Sequence, residues 1–164
     1  MLKPEERLRR AVANAVPRLE AVPDAEASVR RDDGGWSVKE IVGHLIDSAS
    51  NNHQRFVRAQ FSDDLVCLGY DQVAWVTTQR YQSADWRGLI ALWASFNLHL
   101  ANVIEALPPA VRSRQRFPHN LHQVAYRTVP ASEPTTLEYF MSDYAAHLEH
   151  HLVQILGPTA DWPT

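Results

Sequence analysis

Helical apolar spacing recurs in four long stretches of this chain, and two of them open on a capping box. Together these leave an all-α bundle as the fold within reach. Ser37-Val38-Lys39-Glu40 sets a hydroxyl and a carboxylate three residues apart. Each then satisfies a backbone N–H that the first turn of a helix leaves free. Val38, Ile41, Val42, Leu45, Ile46, Ala49 and Phe56 follow at helical spacing, so a helix is expected to run to about residue 61. Thr135-Thr136-Leu137-Glu138 repeats the box for a last helix that should end at Gly157-Pro158. A first helix is expected over about 4–21, with Leu8, Val12, Val16 and Leu19 on one face and Pro17 bending or shortening it. Another is expected from about Ser83 to Leu107, stopped by Pro108-Pro109. Such a set predicts a four-helix bundle, whose metal or ligand sites lie between facing helices.

The connections are uneven. A polar linker with Pro23, Gly34 and Gly35 joins the first two helices. Residues 62–83 form a long crossover between helices 2 and 3, in which 70–80 is expected to be a short helix. Residues 108–134, with five prolines, read as a surface crossing that could hold a short strand. The 164 residues are read as a single domain, 1–164. A formal net charge of −3 and the absence of any Lys/Arg run argue against nucleic acid as a partner. No signal-peptide core and no membrane-spanning window are expected, and the single cysteine, Cys67, fits a reducing cytoplasm and reads as a small buried hydrophobe.

His147 and His151 stand four residues apart on the last helix, one turn apart on one face. Two imidazoles so placed can bind one metal ion, at about 2.0–2.1 Å per bond for zinc. Two ligands hold a metal poorly, and the best third is His44 on the second helix. On a helical wheel His147 and His151 edge the apolar stripe, while His150 falls outside it and should be solvated. His44 falls in a polar strip with Asp47, Ser48, Asn51 and Arg55, with His53 nearly opposite. This suggests a wet cleft along one side of the bundle. The alternative, histidines hydrogen-bonded for structure alone, uses the same residues.

The motifs Trp36-Ser37-x-x-Glu40-x-x-x-His44-Leu45-x-Asp47-Ser48, Tyr70-Asp71-Gln72-x-Ala74-Trp75 and Asp143-Tyr144-x-x-His147-x-x-His150-His151-x-x-Gln154-Ile155 resemble, in order and spacing, the DinB/YfiT-like superfamily. The resemblance covers most of the chain. It implies a four-helix bundle with a long crossover between helices 2 and 3. It also implies a divalent transition metal, with Zn, Ni or Fe all suited to imidazole, held by His44, His147 and His151. Relatives of this kind include S-transferases and isomerases that use low-molecular-weight thiols such as bacillithiol or mycothiol, and hydrolases. The implied activity is therefore thiol transfer to, or hydrolysis of, a small electrophilic substrate. The alternative is a non-catalytic, metal-stabilised binding or stress-response bundle.

Supporting residues follow from helical spacing. Asp47 lies one turn beyond His44 and Asp143 one turn before His147, so either carboxylate could accept an imidazole N–H and orient the ring. Asn51, Arg55 and Tyr144 are candidates for substrate binding, Arg55 for an anionic group. Trp75 could line the cleft, His99 could approach it, and Gln154 could bind substrate or finish a polar face. A homodimer is expected, because related bundles pair through helix faces and the chain has five tryptophans.

Overall fold

The first capping box forms as expected: Ser37 Oγ accepts from the Glu40 amide and Glu40 Oε2 accepts from the Ser37 amide, at 3.3 and 3.0 Å. It opens α3 (Val38–Arg58), in a computed structural model that describes residues 2–31 and 34–159. The remainder of the expected 1–164 domain, Trp162 included, lies outside the described residues. The other elements are α1 (Pro4–Glu20), α2 (Asp24–Ala27), α4 (Gln72–Thr78), α5 (Trp86–Ala106), α6 (Pro109–Ser113), α7 (Leu121–Val124) and α8 (Leu137–Leu156), with two-residue strands β1 (Gln115–Arg116) and β2 (Thr135–Thr136) paired antiparallel.

Three expectations need local correction. Pro17 does not end α1 at once; the helix runs on to Glu20 and the Pro17 carbonyl still accepts from the Ala21 amide. The second capping box does not form. Thr136, not Thr135, caps α8 by accepting from the Tyr139 amide, and Glu138 is drawn instead to Arg112. That arginine also binds Glu5, so an ion-pair bridge competed successfully with the cap. Finally, α5 is long and apolar enough to cross a membrane by length and composition alone. Its charged residues, Arg87 and Glu105, sit at its ends, and here it packs between α1 and α3.

The four long helices form a bundle in which α1 and α3 each contact α5 and α8. Helices α1 and α3 are therefore diagonal, as are α5 and α8. Buried Trp93, Phe56, Phe140, Leu8, Leu45, Leu100 and Ile104 fill the interior. The diagonal α5–α8 pair is tied through the core, where the Tyr144 hydroxyl donates to Asn97 Oδ1 at 2.5 Å and Asn97 Nδ2 donates to the Trp93 carbonyl.

The long crossover between α3 and α5 lies over the polar strip of α3, so most of the strip is covered and what remains open lines cavities rather than one continuous cleft. The Tyr81 ring packs on Gly43, where a Cβ would stand 2.1 Å from Tyr81 Cδ2. The Tyr81 hydroxyl and Gln79 Nε2 both donate to Asp47 Oδ1, at 2.7 and 2.6 Å. Further along, Arg55 donates to the Leu68 carbonyl at 2.7 Å. Under this cover His44, Asp47, Ser48, Asn52 and Arg55 are all buried.

Candidate metal centre

Helices α3 and α8 run antiparallel in a fixed register, with His44 against His151, Ser48 against His147 and Arg55 against Phe140. This register brings the three expected histidines to one point. His147 Nε2 lies 3.3 Å from His44 Nε2 and 3.1 Å from His151 Nε2, and all three ligand nitrogens fall within 4.8 Å of one another. Nitrogens 3.1 and 3.3 Å apart, each about 2.0–2.1 Å from one ion, subtend roughly 95–110° there, as a tetrahedral site requires.

The donor set also fits in its chemistry. Gln154 Oε1 can only accept, so His151 Nδ1, 2.8 Å away, carries the proton and its Nε2 presents a lone pair inward. Ser48 Oγ stands 3.4 Å from His147 Nδ1 and can play the same part there. Burial, then the neighbouring His151, lowers the His44 pKa to about 4. Burial and the other imidazoles hold His147 well below its ordinary value, and burial lowers His151. All three rings are therefore neutral near pH 7, the form that coordinates a metal.

The centre opens onto a cavity of about 300 Å³ that reaches His147 and His151. Its walls include Ser48, Arg55, Tyr70, Gln123, Tyr126 and Tyr144. Burial pushes the Tyr70 hydroxyl up to about 12, so it stays protonated and can donate.

The supporting residues divide. Neither expected carboxylate reaches an imidazole. Asp47 Oδ1 is held by Tyr81 and Gln79; among the described residues its Oδ2 has no hydrogen-bond partner, nor does the buried His44 Nδ1. Asp143 accepts from the Tyr126 and Arg127 backbone amides at 2.8 and 2.7 Å, so it fixes a cavity wall. Burial raises both carboxyl pKa values against these hydrogen bonds. The imidazole contacts come instead from Gln154 and Ser48. Tyr144 lines the cavity, with its hydroxyl committed to Asn97. Arg55 lines it too, and also lines a second cavity of about 450 Å³ with Asn51, Cys67 and Trp75. Burial pushes the Cys67 thiol up, which suits a small hydrophobe better than a nucleophile. His150 is exposed at the cavity rim, and His99 meets His53 with ring centroids 5.3 Å apart. Tyr126 and Gln123 were not foreseen, because nothing periodic in the proline-rich crossing marks them.

A helical bundle carrying an inward-facing histidine triad next to a cavity defines a class of metal-binding protein. Residues 7–155 match the DinB superfamily, and the chain belongs to that family. It is similar to YfiT of Bacillus subtilis, provisionally named a metal-dependent hydrolase, with 26% identity over 84% of this chain and 71% of that one. A protein of Geobacillus thermodenitrificans with the same provisional name is 24% identical over 82% of this chain and 70% of its own. The solved YfiT structure, described as an unusual four-helix bundle, superposes with a TM-score of 0.75 at 25% identity, covering 93% of this chain and 81% of that one. The triad is a donor set that suits a divalent metal ion.

Proposed function

We propose that this protein is a metal-dependent enzyme acting on a small electrophilic substrate, with His44, His147 and His151 as the metal ligands. One observation carries the reading: the three imidazole Nε2 atoms converge at the wall of a cavity. A closed site would suit a structural ion, whereas an accessible one leaves room for a reactant. A divalent cation held by the triad supplies Lewis acidity and activates a nucleophile, whether water or a thiol. Around it, Gln154 and Ser48 hold the imidazoles, Tyr70 offers a hydroxyl proton, and Asp143 keeps the Tyr126 wall in place. Tyr144 contributes ring surface, and Arg55 and Asn51 offer polar contacts.

Hydrolysis is the first reading. Transfer of a low-molecular-weight thiol is the second, favoured by two cavities that share Arg55 and so leave room for two reactants. The reading includes a reducing, cytoplasmic setting and a homodimer; sedimentation showing only an 18.6 kDa species would end the latter. Tag-free protein with added Zn, Ni, Mn or Fe would be assayed on ester and amide panels, and on small thiols with electrophiles. Turnover is expected above a His44→Ala control. None with any combination would favour a non-catalytic, metal-stabilised bundle.

A further inference from the structure

Arg55 is 8% exposed, yet no carboxylate pairs with it among the described residues. Its guanidinium donates to one backbone carbonyl, Leu68, and at a long 3.4 Å to the neutral amide of Asn52; its Nε has no hydrogen-bond partner among the described residues. A buried cation so poorly matched is costly, because desolvation is uncompensated. Of the two cavities it lines, the larger carries Asp64, whose Oδ1 accepts from the Ser62 hydroxyl and the Val66 amide, and the one beside the triad does not compensate it either. Asp143, its one carboxylate, has both oxygens taken by backbone amides. None of the other polar side chains there is a carboxylate; they include Ser48, Asn52, Tyr70, Gln72, Gln123 and Tyr144. Three neutral imidazoles add no negative charge, so an ion on the triad would deepen the excess of positive charge.

The register of α3 and α8 places this cation. Ser48 lies against His147 and Arg55 against Phe140, with the Arg55 Cζ 5.8 Å from the Phe140 ring centroid. On each helix the two levels are seven residues apart, about two turns or roughly 10 Å. Arg55 and two histidines of the triad, His147 and His151, thus line one cavity from backbone levels about two turns apart.

We propose that Arg55 is the anion-recognition residue of this site, and that the substrate is an elongated organic acid: a carboxylate at the Arg55 end, its reacting group at the triad. A guanidinium suits this task because its planar fork meets a carboxylate with two parallel hydrogen bonds. The inference rests on the proposed metal centre for the reacting end only; the carboxylate end depends on Arg55 alone.

Linear mercaptocarboxylates test both ends. The thiol binds metal and the carboxylate meets Arg55, so chain length measures the span. Calorimetric titrations would compare mercaptoacetate, mercaptohexanoate and the neutral mercaptohexanamide, on metal-free and zinc-loaded protein. Hexanoate and hexanethiol serve as single-ended controls. On the zinc-loaded protein, mercaptohexanoate is expected to bind about tenfold or more tighter than its amide, and tighter than mercaptoacetate. Arg55→Gln should bring acid and amide to parity, and Arg55→Lys should fall between. Because Arg55 also anchors the crossover, the wild-type acid-to-amide ratio decides the matter if the variants fail to fold. Equal affinity of acid and amide for the wild type would overturn the proposal. A failed metal centre leaves a different signature: the zinc and chain-length dependence vanish, while the Arg55-dependent preference for acid remains.

Discussion

Replacing Gly43 by alanine tests how the crossover is seated over the triad. The new Cβ would stand 2.1, 2.2 and 2.7 Å from Tyr81 Cδ2, Cγ and Cε2. Carbon atoms rest at about 3.5–4.0 Å, so the ring must retreat by more than an ångström. Tyr81 is 6% exposed and its hydroxyl is held on Asp47 at 2.7 Å, so retreat costs both packing and that bond. Overpacking of this kind costs about 1–3 kcal/mol, and a hydrogen bond to a charged group about 1.5–3 kcal/mol. Alanine in a helix interior returns about 1 kcal/mol relative to glycine. The net loss expected is about 2–5 kcal/mol, read by urea denaturation of wild type and Gly43→Ala. Adding Tyr81→Ala removes the obstructing ring, so the double variant should lose less than the two single losses combined. A Gly43→Ala protein as stable as wild type would refute the close approach of Tyr81 and α3.

Tyr144→Phe should lower stability by about 1–3 kcal/mol, because it strands the buried Asn97 oxygen; thermal unfolding would show it, with metal content unchanged. Asp143→Ala should leave metal content intact but speed amide hydrogen exchange at Tyr126 and Arg127, whose N–H groups lose their acceptor. Metal-free protein should lose stability on acidification. His44 takes a proton near 6.5 when unfolded but only near 4 when folded, so between these values the unfolded chain holds more protons. The His44 contribution, about 3 kcal/mol by that difference, is present above 6.5 and lost as pH falls toward 4. Urea midpoints across this range would measure it, and a flat profile would contradict the buried, neutral ring.

Much of this was legible because a helix makes sequence spacing into geometry. His147 and His151 share a face by their spacing, and His44 could be ranked by the polar strip it lies in. Their convergence needed one thing the sequence does not state, the antiparallel register that sets Ser48 against His147. The burial of the polar strip was not legible, since it depends on where a crossover without periodicity lies down. Tyr81 and Gln79 claim Asp47 from that crossover, and Tyr126 and Arg127 claim Asp143 from the other connection. Helical spacing placed both carboxylates near an imidazole but could not show these competitors. The second capping box failed for the same reason, since Glu138 had a distant partner in Arg112.

The central claim is that one ion is held by three imidazoles. Elemental analysis of protein purified without a polyhistidine tag, and after reconstitution with zinc, addresses it directly. The account predicts one divalent ion per chain, lost in His44→Ala, His147→Ala and His151→Ala, and retained in His150→Ala, whose ring is exposed at the cavity rim. Stoichiometric metal that survives loss of His44 or His147, or no metal bound by the wild type after reconstitution, would contradict it.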